Sequence, residues 1–131
     1  MSVRVEGTFE VTSWSEEQTT GLDGTAKVAT ARIGQRFIGG IEAETISDTL
    51  MTYRDDGTAE FVGYQRVDGA IGDKTGTFVL QSLGHFDGKE ATAQVEVVLG
   101  TGSGDLAGLT GNGSWAAPQG STGTFVLDYD L

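Results

Sequence analysis

Apolar and polar residues alternate one by one along most of this chain, and the alternation is clearest at its start. Val3, Val5, Phe9 and Val11 occupy all but one of the odd positions there, with polar residues between them. No stretch of ten or more residues repeats apolar positions at the 3.6-residue interval of a helix. Because successive side chains of a strand point to opposite faces, this pattern predicts half-buried strands and an all-β fold.

Three tight turns are marked by glycine next to aspartate in the middle of the chain, at Asp56-Gly57, Gly72-Asp73 and Asp87-Gly88. Both residue types tolerate the positive φ angles that two-residue hairpin loops require. Taking each dipeptide as a two-residue loop and counting outward predicts the register of four consecutive strands.

The three predicted registers agree, since they pair Leu50 with Gly63, Gly63 with Ser82 and Ser82 with Ala93. They predict an apolar core face made of Ile46, Leu50, Phe61, Val67, Phe78, Leu80, Val95 and Val97, with Gly63, Gly84, Ala91 and Ala93 beside the large rings. They predict a solvent face made of Tyr64, Arg66, Gln81, His85, Thr92, Gln94 and Glu96.

Further strands are predicted on both sides of these hairpins. Residues 26–38 form one, joined onward through Gly39-Gly40, and Trp115 and residues 124–131 mark the last two around a turn at 118–120. Residues 13–23 are polar and predict a loop. About eight antiparallel strands in meander order predict one domain over residues 1–131 that closes as an up-and-down barrel, with a β-sandwich as the alternative.

Composition limits the partners of this domain. The 131 residues include 21 glycines and no cysteine, and the formal net charge is -11. A surface of that sign repels phosphate backbones and anionic lipid, so we expect no nucleic-acid or membrane partner. There is no apolar run of about 18 residues and no apolar signal region after Met1, so we expect a cytoplasmic, bacterial protein. A homo-oligomer is compatible with the sequence.

Several segments, in order along nearly the whole chain, resemble the bacterial family called domain of unknown function 3224. They are FIGGIEAE at 37–44, MTYRDDGTAEFVG at 51–63, GTFVLQ at 76–81, GSGDLAGLTG at 102–111 and LDYDL at 127–131. The resemblance implies a barrel similar to allene oxide cyclase and dirigent proteins, and the glycine-rich residues 100–111 look like the glycine motif of those barrels. It implies no established activity.

The chain departs from the family pattern at two places. The resemblance implies Glu-Arg where this chain has Gln65-Arg66, and Gln-His where it has Gln81-Ser82. By the predicted registers Gln65 and Ser82 are diagonal neighbours on the inner face. If relatives keep a Glu–His pair in the lumen, this chain has neutral groups at both positions, and acid–base catalysis by such a pair is not expected here.

The chain lacks the residue patterns of known catalytic and cofactor sites. It contains no motif of a catalytic serine or cysteine, no metal-site motif and no phosphate-binding loop, so we expect neither a metal nor a cofactor. His85 is the single histidine, which excludes a site with several histidine ligands. We predict that it lies on the outer face between Glu60 and Glu90, where a cross-strand charge pair explains it without catalysis.

Polar residues on the predicted inner face are the best candidates for a site. Asp48, Gln65 and Ser82 form one set, with Glu44 and Glu42 nearer the barrel mouth. Phe61, Phe78 and Leu80 are the candidate apolar wall. Such a set predicts a ligand pocket with polar anchors, although an internal hydrogen-bond network or carboxylates at a wet mouth explain it equally well.

Three hypotheses for function follow from the predicted barrel and its inner-face polar residues. The first is a barrel that binds a small apolar molecule in its lumen. The second is a cofactor-free cyclase or isomerase that acts on a hydrophobic substrate in the lumen, and a carboxylate inside the lumen would favour it. The third is a packed barrel that acts through its surface or by oligomerisation. Trp14 and Trp115 either plug a barrel end or stack on a ligand, and we favour the plug.

Overall fold

A computed structural model describes residues 2–19, 26–118 and 122–131, and within them eight antiparallel strands form a closed barrel in sequence order. The strands are β1 Val3–Gln18, β2 Lys27–Gly39, β3 Ile41–Tyr53, β4 Ala59–Ile71, β5 Lys74–Phe86, β6 Glu90–Val97, β7 Thr110–Pro118 and β8 Thr122–Asp130. A 3₁₀ turn, Gly104–Leu106, lies between β6 and β7. Pairing of β1 with β8 closes the sheet, which confirms the barrel and excludes the sandwich.

Strand β1 is longer than its sequence pattern predicts. Residues 13–18, predicted as loop, continue the strand and pair with β2 as far as Gln18 opposite Ala29. The rest of the predicted loop, at 20–23, lies outside the described residues, as does most of the predicted turn at 118–120. Residues 13–18 are exposed or only partly buried, so no buried apolar series marks them as strand.

A β-bulge interrupts β1 at Thr12. The pairing steps from Val11 opposite Gln35 to Ser13 opposite Gly34, so β1 has one extra residue. An extra residue in one strand moves every later side chain to the other face. Odd positions such as Phe9 point inward before the bulge, and even positions such as Trp14 and Glu16 point inward after it.

The first hairpin has a three-residue loop, Asp55-Asp56-Gly57, instead of the predicted two. Arg54 donates its backbone N–H to Thr58 at 2.9 Å, and Gly57 lies at φ +89°. A three-residue loop with glycine in the left-handed region is the next commonest hairpin connection after the two-residue loops. It shifts β3 by one residue against β4.

The shift by one residue exchanges the two faces of β3. Leu50 pairs with Val62 instead of Gly63, and Asp48 with Tyr64 instead of Gln65. The prediction that Ile46 and Leu50 belong to the core is therefore wrong: their exposed fractions are 46% and 52%. The inner face of β3 is built instead from Ile41, Ala43, Thr45, Ser47, Thr49, Met51 and Tyr53.

The other two hairpins place their side chains on the predicted faces. Gly72-Asp73 is a two-residue loop, as predicted. The third loop is Gly88-Lys89, one residue later than predicted, which changes the register by two residues and so preserves the faces. As a result His85 pairs with Glu60, as predicted, but with Thr92 on β6 rather than Glu90.

The lower end of the barrel, defined here as the end at the β6–β7 connection, is filled by a packed core. Leu106 and Leu109 in that connection are almost completely buried and close this end. Asp105 accepts a hydrogen bond from the backbone N–H of Thr75 at 3.2 Å, and Ser103 accepts one from Thr77 at 3.1 Å. The glycine-rich residues 100–111 thus plug this end of the barrel, whereas Trp14 and Trp115 lie toward the other end.

Gly84 provides the space that a core ring needs. A Cβ atom at Gly84 would lie 2.6 Å from Cζ of Phe61 and would also strike the backbone oxygen of Thr92. We expect Gly84→Val to lower the free energy of unfolding by about 1–3 kcal/mol, because the strands cannot separate to admit the side chain. Urea denaturation measures this, with the outward neighbour change His85→Val as control. Equal stability of the two variants would contradict the packing described.

Candidate functional site

The upper end of the barrel, opposite the plug, holds a cavity of about 310 Å³. Its lining residues come from seven strands: Phe9, Val11, Trp14, Ile33, Gln35, Ser47, Thr49, Met51, Tyr53, Ala59, Phe61, Gln65, Ser82, Phe86, Ala91, Trp115, Ala117 and Pro118. All but the exposed Pro118 at the rim are inward-facing residues of the upper barrel, and most are apolar or aromatic. The lumen is therefore packed in its lower half and hollow in its upper half.

Aromatic rings form one wall of this upper cavity. The rings of Phe61 and Trp115 are stacked, with centroids 5.6 Å apart and planes 15° from parallel. Phe9 meets Trp115 edge-on, also at 5.6 Å. Gly84 and Gly123 lie directly against the rings of Phe61 and Phe9, so they leave these rings no room to move outward. The wall is thus a fixed aromatic surface.

A pair of amides forms the polar floor of the cavity. Gln65, only 4% exposed, donates from Nε2 to Oε1 of Gln35 and to Oγ1 of Thr45, both at 2.8 Å. Thr45 in turn donates to the backbone oxygen of Gln35 at 3.3 Å. Both protons of the Gln65 amide nitrogen are used, so the two glutamine side chains are held in a fixed arrangement.

Three polar atoms of the floor remain available to a ligand. Neither Oε1 of Gln65, nor Nε2 of Gln35, nor Oγ of Ser82 has a hydrogen-bond partner among the described residues. Within the same residues every fully buried side-chain nitrogen or oxygen has a partner, so these three atoms are not fully buried. Since all three side chains line the cavity, these atoms are reached from it, and they offer one acceptor, one donor and one hydroxyl.

A carboxylate lies at the mouth of the cavity, brought inward by the bulge in β1. Glu16 accepts a hydrogen bond from the hydroxyl of Tyr53 at 2.8 Å and another from Nε1 of Trp14 at 3.2 Å. Burial, with this hydrogen bond and the nearby negative charge, raises the pKa of Tyr53 to about 12. Tyr53 is therefore a neutral hydrogen-bond donor at physiological pH.

The raised pKa of Tyr53 predicts a loss of stability in alkali. An unfolded tyrosine titrates near pH 10, so the folded state binds the proton more tightly, and the stabilisation is complete below that pH. It is lost as the pH rises from about 10 to about 12. We expect the stability difference between the parent and Tyr53→Phe to shrink over this range, measured by urea denaturation. A difference that is constant with pH would contradict the burial of the Tyr53 hydroxyl beside Glu16.

The comparisons with known proteins agree with this architecture. A family model described as "Protein of unknown function (DUF3224)" matches residues 5–129, nearly the whole chain. The chain belongs to this family. A crystal structure of a DUF3224 protein of unknown function from Shewanella oneidensis MR-1 superposes with a TM-score of 0.84 at 25% identity, covering 100% of this chain and 98% of that one. No curated protein matches.

Only some of the site residues predicted from the sequence of this DUF3224 protein lie in the upper cavity. Gln65, Ser82 and Phe61 line the upper cavity, as predicted. Phe78 and Leu80 also point inward, but they belong to the packed lower core and do not line the cavity. They are therefore core residues and not the pocket wall that was predicted.

The predicted inner carboxylates Asp48, Glu44 and Glu42 lie on the outer face instead. The three-residue first loop turns these positions of β3 outward, so their placement in the lumen was wrong. Arg32 donates to Asp48 at 2.9 Å, and Arg66 does so at 3.0 Å. These hydrogen bonds lower the pKa of Asp48.

The other two predicted carboxylates, Glu44 and Glu42, also have partners on the outer wall. Arg36 donates to Glu44 at 2.9 Å, and the backbone N–H of Gly39 donates to Glu42. Each of the three predicted carboxylates therefore already has a partner on the outer surface of the barrel.

Several residues of the candidate site were not predicted from the sequence, and Gln35 and Glu16 show why. Gln35 lies in the inward series Ala29, Ala31, Ile33, Gln35 and Phe37, so the alternation along β2 contained the signal. Glu16 carried no such signal, because a bulge in a polar stretch determines which way it points.

In the described residues, no helix is long and apolar enough to cross a membrane.

The outer wall of the DUF3224 barrel carries an exposed apolar row. Leu50, Val62 and Leu83 are direct cross-strand neighbours on β3, β4 and β5. Their exposed fractions are 52%, 40% and 65%. The row follows from the corrected register, which places Leu50 outside the core.

Proposed function

We propose that this protein binds a small, largely apolar molecule in the upper cavity of its barrel. The observation that supports this is the contrast between the two halves of one lumen. The lower half has the close packing of a protein interior, whereas the upper half keeps an aromatic cavity of about 310 Å³ with a few polar atoms. Apolar cavities of this size with few polar groups are typical small-molecule sites.

The lining favours binding over catalysis. Of the described residues that line the cavity, only Tyr53 has an ionisable side chain, and it stays protonated at neutral pH. Binding requires no charged group, whereas a cyclase or isomerase needs a group that gives or takes a proton, or one that stabilises developing charge. The carboxylate of Glu16 at the mouth is a group of the kind that transfers protons, and it supports a cyclase or isomerase as the second candidate function. This carboxylate, however, already accepts hydrogen bonds from Tyr53 and Trp14.

A titration with 2-fluoronaphthalene, followed by its fluorine NMR signal, tests the proposal. We expect saturable binding to one site with a Kd of about 10–100 µM, as ligand efficiency suggests for so small a molecule. Leu83→Ala removes a side chain from the exposed outer row and should leave the Kd unchanged. Absence of saturable binding, or its loss in Leu83→Ala, would contradict a site in the lumen.

A further inference from the structure

We propose that the ligand is a neutral, planar molecule with a hydrogen-bond donor beside an acceptor, as in a lactam or an amide, and that Gln35 and Gln65 recognise this edge. The inference rests on the proposed function and adds the chemical class of the ligand. It is carried by three independent features of the cavity, which are its unpaired polar atoms, its charge and its shape.

The amide pair supplies the complementary edge. The 2.8 Å bond from Gln65 to Gln35 uses one polar atom of each amide group, and the Thr45 bond uses the remaining proton of Gln65. What is left toward the cavity is an acceptor on Gln65 and a donor on Gln35, on side chains that are already fixed. A ligand that donates to the first and accepts from the second pairs both atoms, whereas a purely apolar ligand leaves both without partners and loses that affinity.

The charges around the cavity favour a neutral ligand. The described lining residues include no lysine, arginine or histidine that could pair with an anion, and the net charge of -11 repels one. A cation at the floor would be buried beside neutral amides without a counter-ion. The carboxylate of Glu16 lies at the mouth, where Tyr53 and Trp14 already donate to it.

The shape of the cavity favours a flat ligand of limited size. Its wall is the stacked pair Phe61 and Trp115, and aromatic faces pack best against other flat rings. A volume of about 310 Å³, filled at the density of a protein interior, holds roughly 12 non-hydrogen atoms. A bicyclic ring with one substituent has that size.

Two isomers that differ only in the proposed edge test this inference. In 4-methyl-2-quinolone the lactam N–H is intact, whereas in 1-methyl-2-quinolone a methyl group replaces that proton. Both have the same formula, and their affinities are measured by displacement of bound 2-fluoronaphthalene. We expect the first isomer to bind about tenfold more tightly, because it alone can donate to Gln65. The cation 1-methylquinolinium should displace the probe less well than either.

Leucine variants assign the preference to the two amides. We expect Gln65→Leu to reduce the tenfold preference to less than twofold, because it removes the acceptor of the lactam N–H. We expect Gln35→Leu to weaken both isomers alike, by about tenfold, because it removes the donor to the carbonyl that they share. In both variants 2-fluoronaphthalene should still bind. The same change on the outer face, Gln81→Leu, should keep the full preference. Gln35 is only half-buried, so if Gln65→Leu does not fold, the weakening of both isomers in Gln35→Leu decides the test.

Two results overturn this inference without touching the proposed function. In the first, 2-fluoronaphthalene binds but the parent protein does not distinguish the isomers, or prefers the cation. In the second, the preference survives in Gln65→Leu, or Gln35→Leu leaves the affinities of both isomers unchanged. If 2-fluoronaphthalene itself does not bind, the proposed function fails and this inference fails with it.

Discussion

Phe78→Ala is expected to lower the free energy of unfolding by about 3–5 kcal/mol, the cost typical of removing a buried ring. Phe78 is 2% exposed and lies opposite Val67 in the packed lower core. Because strands on all sides are held in the closed sheet, the core cannot collapse into the space left by the ring. Urea denaturation at neutral pH measures the loss.

Phe78→Ala also tests whether Phe78 is a core residue or part of the wall of the ligand cavity. If Phe78 lined the ligand cavity, its removal would change the affinity for 2-fluoronaphthalene as much as the stability. We expect the affinity of the folded variant to stay within twofold of the parent. Phe78→Leu, with a loss of about 1–2 kcal/mol, serves if the alanine variant does not fold. A stability loss under 1 kcal/mol for Phe78→Ala, or a clear loss of affinity, would contradict the division of the lumen.

Ala117→Phe is expected to weaken the binding of 2-fluoronaphthalene by roughly a hundredfold. Ala117 points into the upper cavity from β7, and a phenylalanine ring there occupies much of the volume that the ligand needs. Engineered cavities behave in this way, since they bind small aromatic molecules only while they are empty. Filling an apolar cavity costs little folding stability when no neighbour must move, so the variant should remain folded.

The adjacent residue provides a matched control. Ala116 is the preceding residue of β7 and points outward, between Thr92 and Thr124 on the neighbouring strands. Ala116→Phe adds the same ring to the same strand and should leave the affinity within twofold of the parent. Equal weakening in both variants would show that the effect is not a filled cavity.

The barrel could be predicted from the sequence because period-two alternation and glycine turns specify it locally. The faces of β4, β5 and β6 were predicted correctly even though the third loop lies one residue later than expected, since a shift of two residues keeps inward side chains inward. Gln65, Ser82 and Phe61 were found for this reason. Family membership was also predictable, from segments spread over nearly the whole chain.

The carboxylates were misplaced because one loop has three residues instead of two. Asp55, Asp56 and Gly57 suit either a two-residue or a three-residue hairpin loop, and the choice depends on which β3 side chains the closed barrel buries. The inward series Thr45, Ser47 and Thr49 is no more apolar than the outward series Ile46, Asp48 and Leu50. Residue type alone therefore could not decide between the two registers.

The corrected register also changes the chemistry expected of the lumen. With Asp48 on the outer wall between Arg32 and Arg66, the floor of the cavity is neutral, made of amides and hydroxyl groups. The carboxylate at the mouth is Glu16, which only the bulge at Thr12 turns inward. A neutral floor suits recognition of a neutral ligand, which is why we place binding ahead of catalysis.

Mapping the amide and indole NMR signals of the protein during a titration with 2-fluoronaphthalene tests the central claim most directly. We expect the largest shift changes at the indole N–H of Trp115 and at the backbone of Ala59 and Ala91, all at the upper cavity. The plug residue Leu106 and the outer-row residue Leu83 should be unaffected. Shifts confined to the outer row, or spread evenly over the barrel, would contradict a ligand site in the upper half of the lumen.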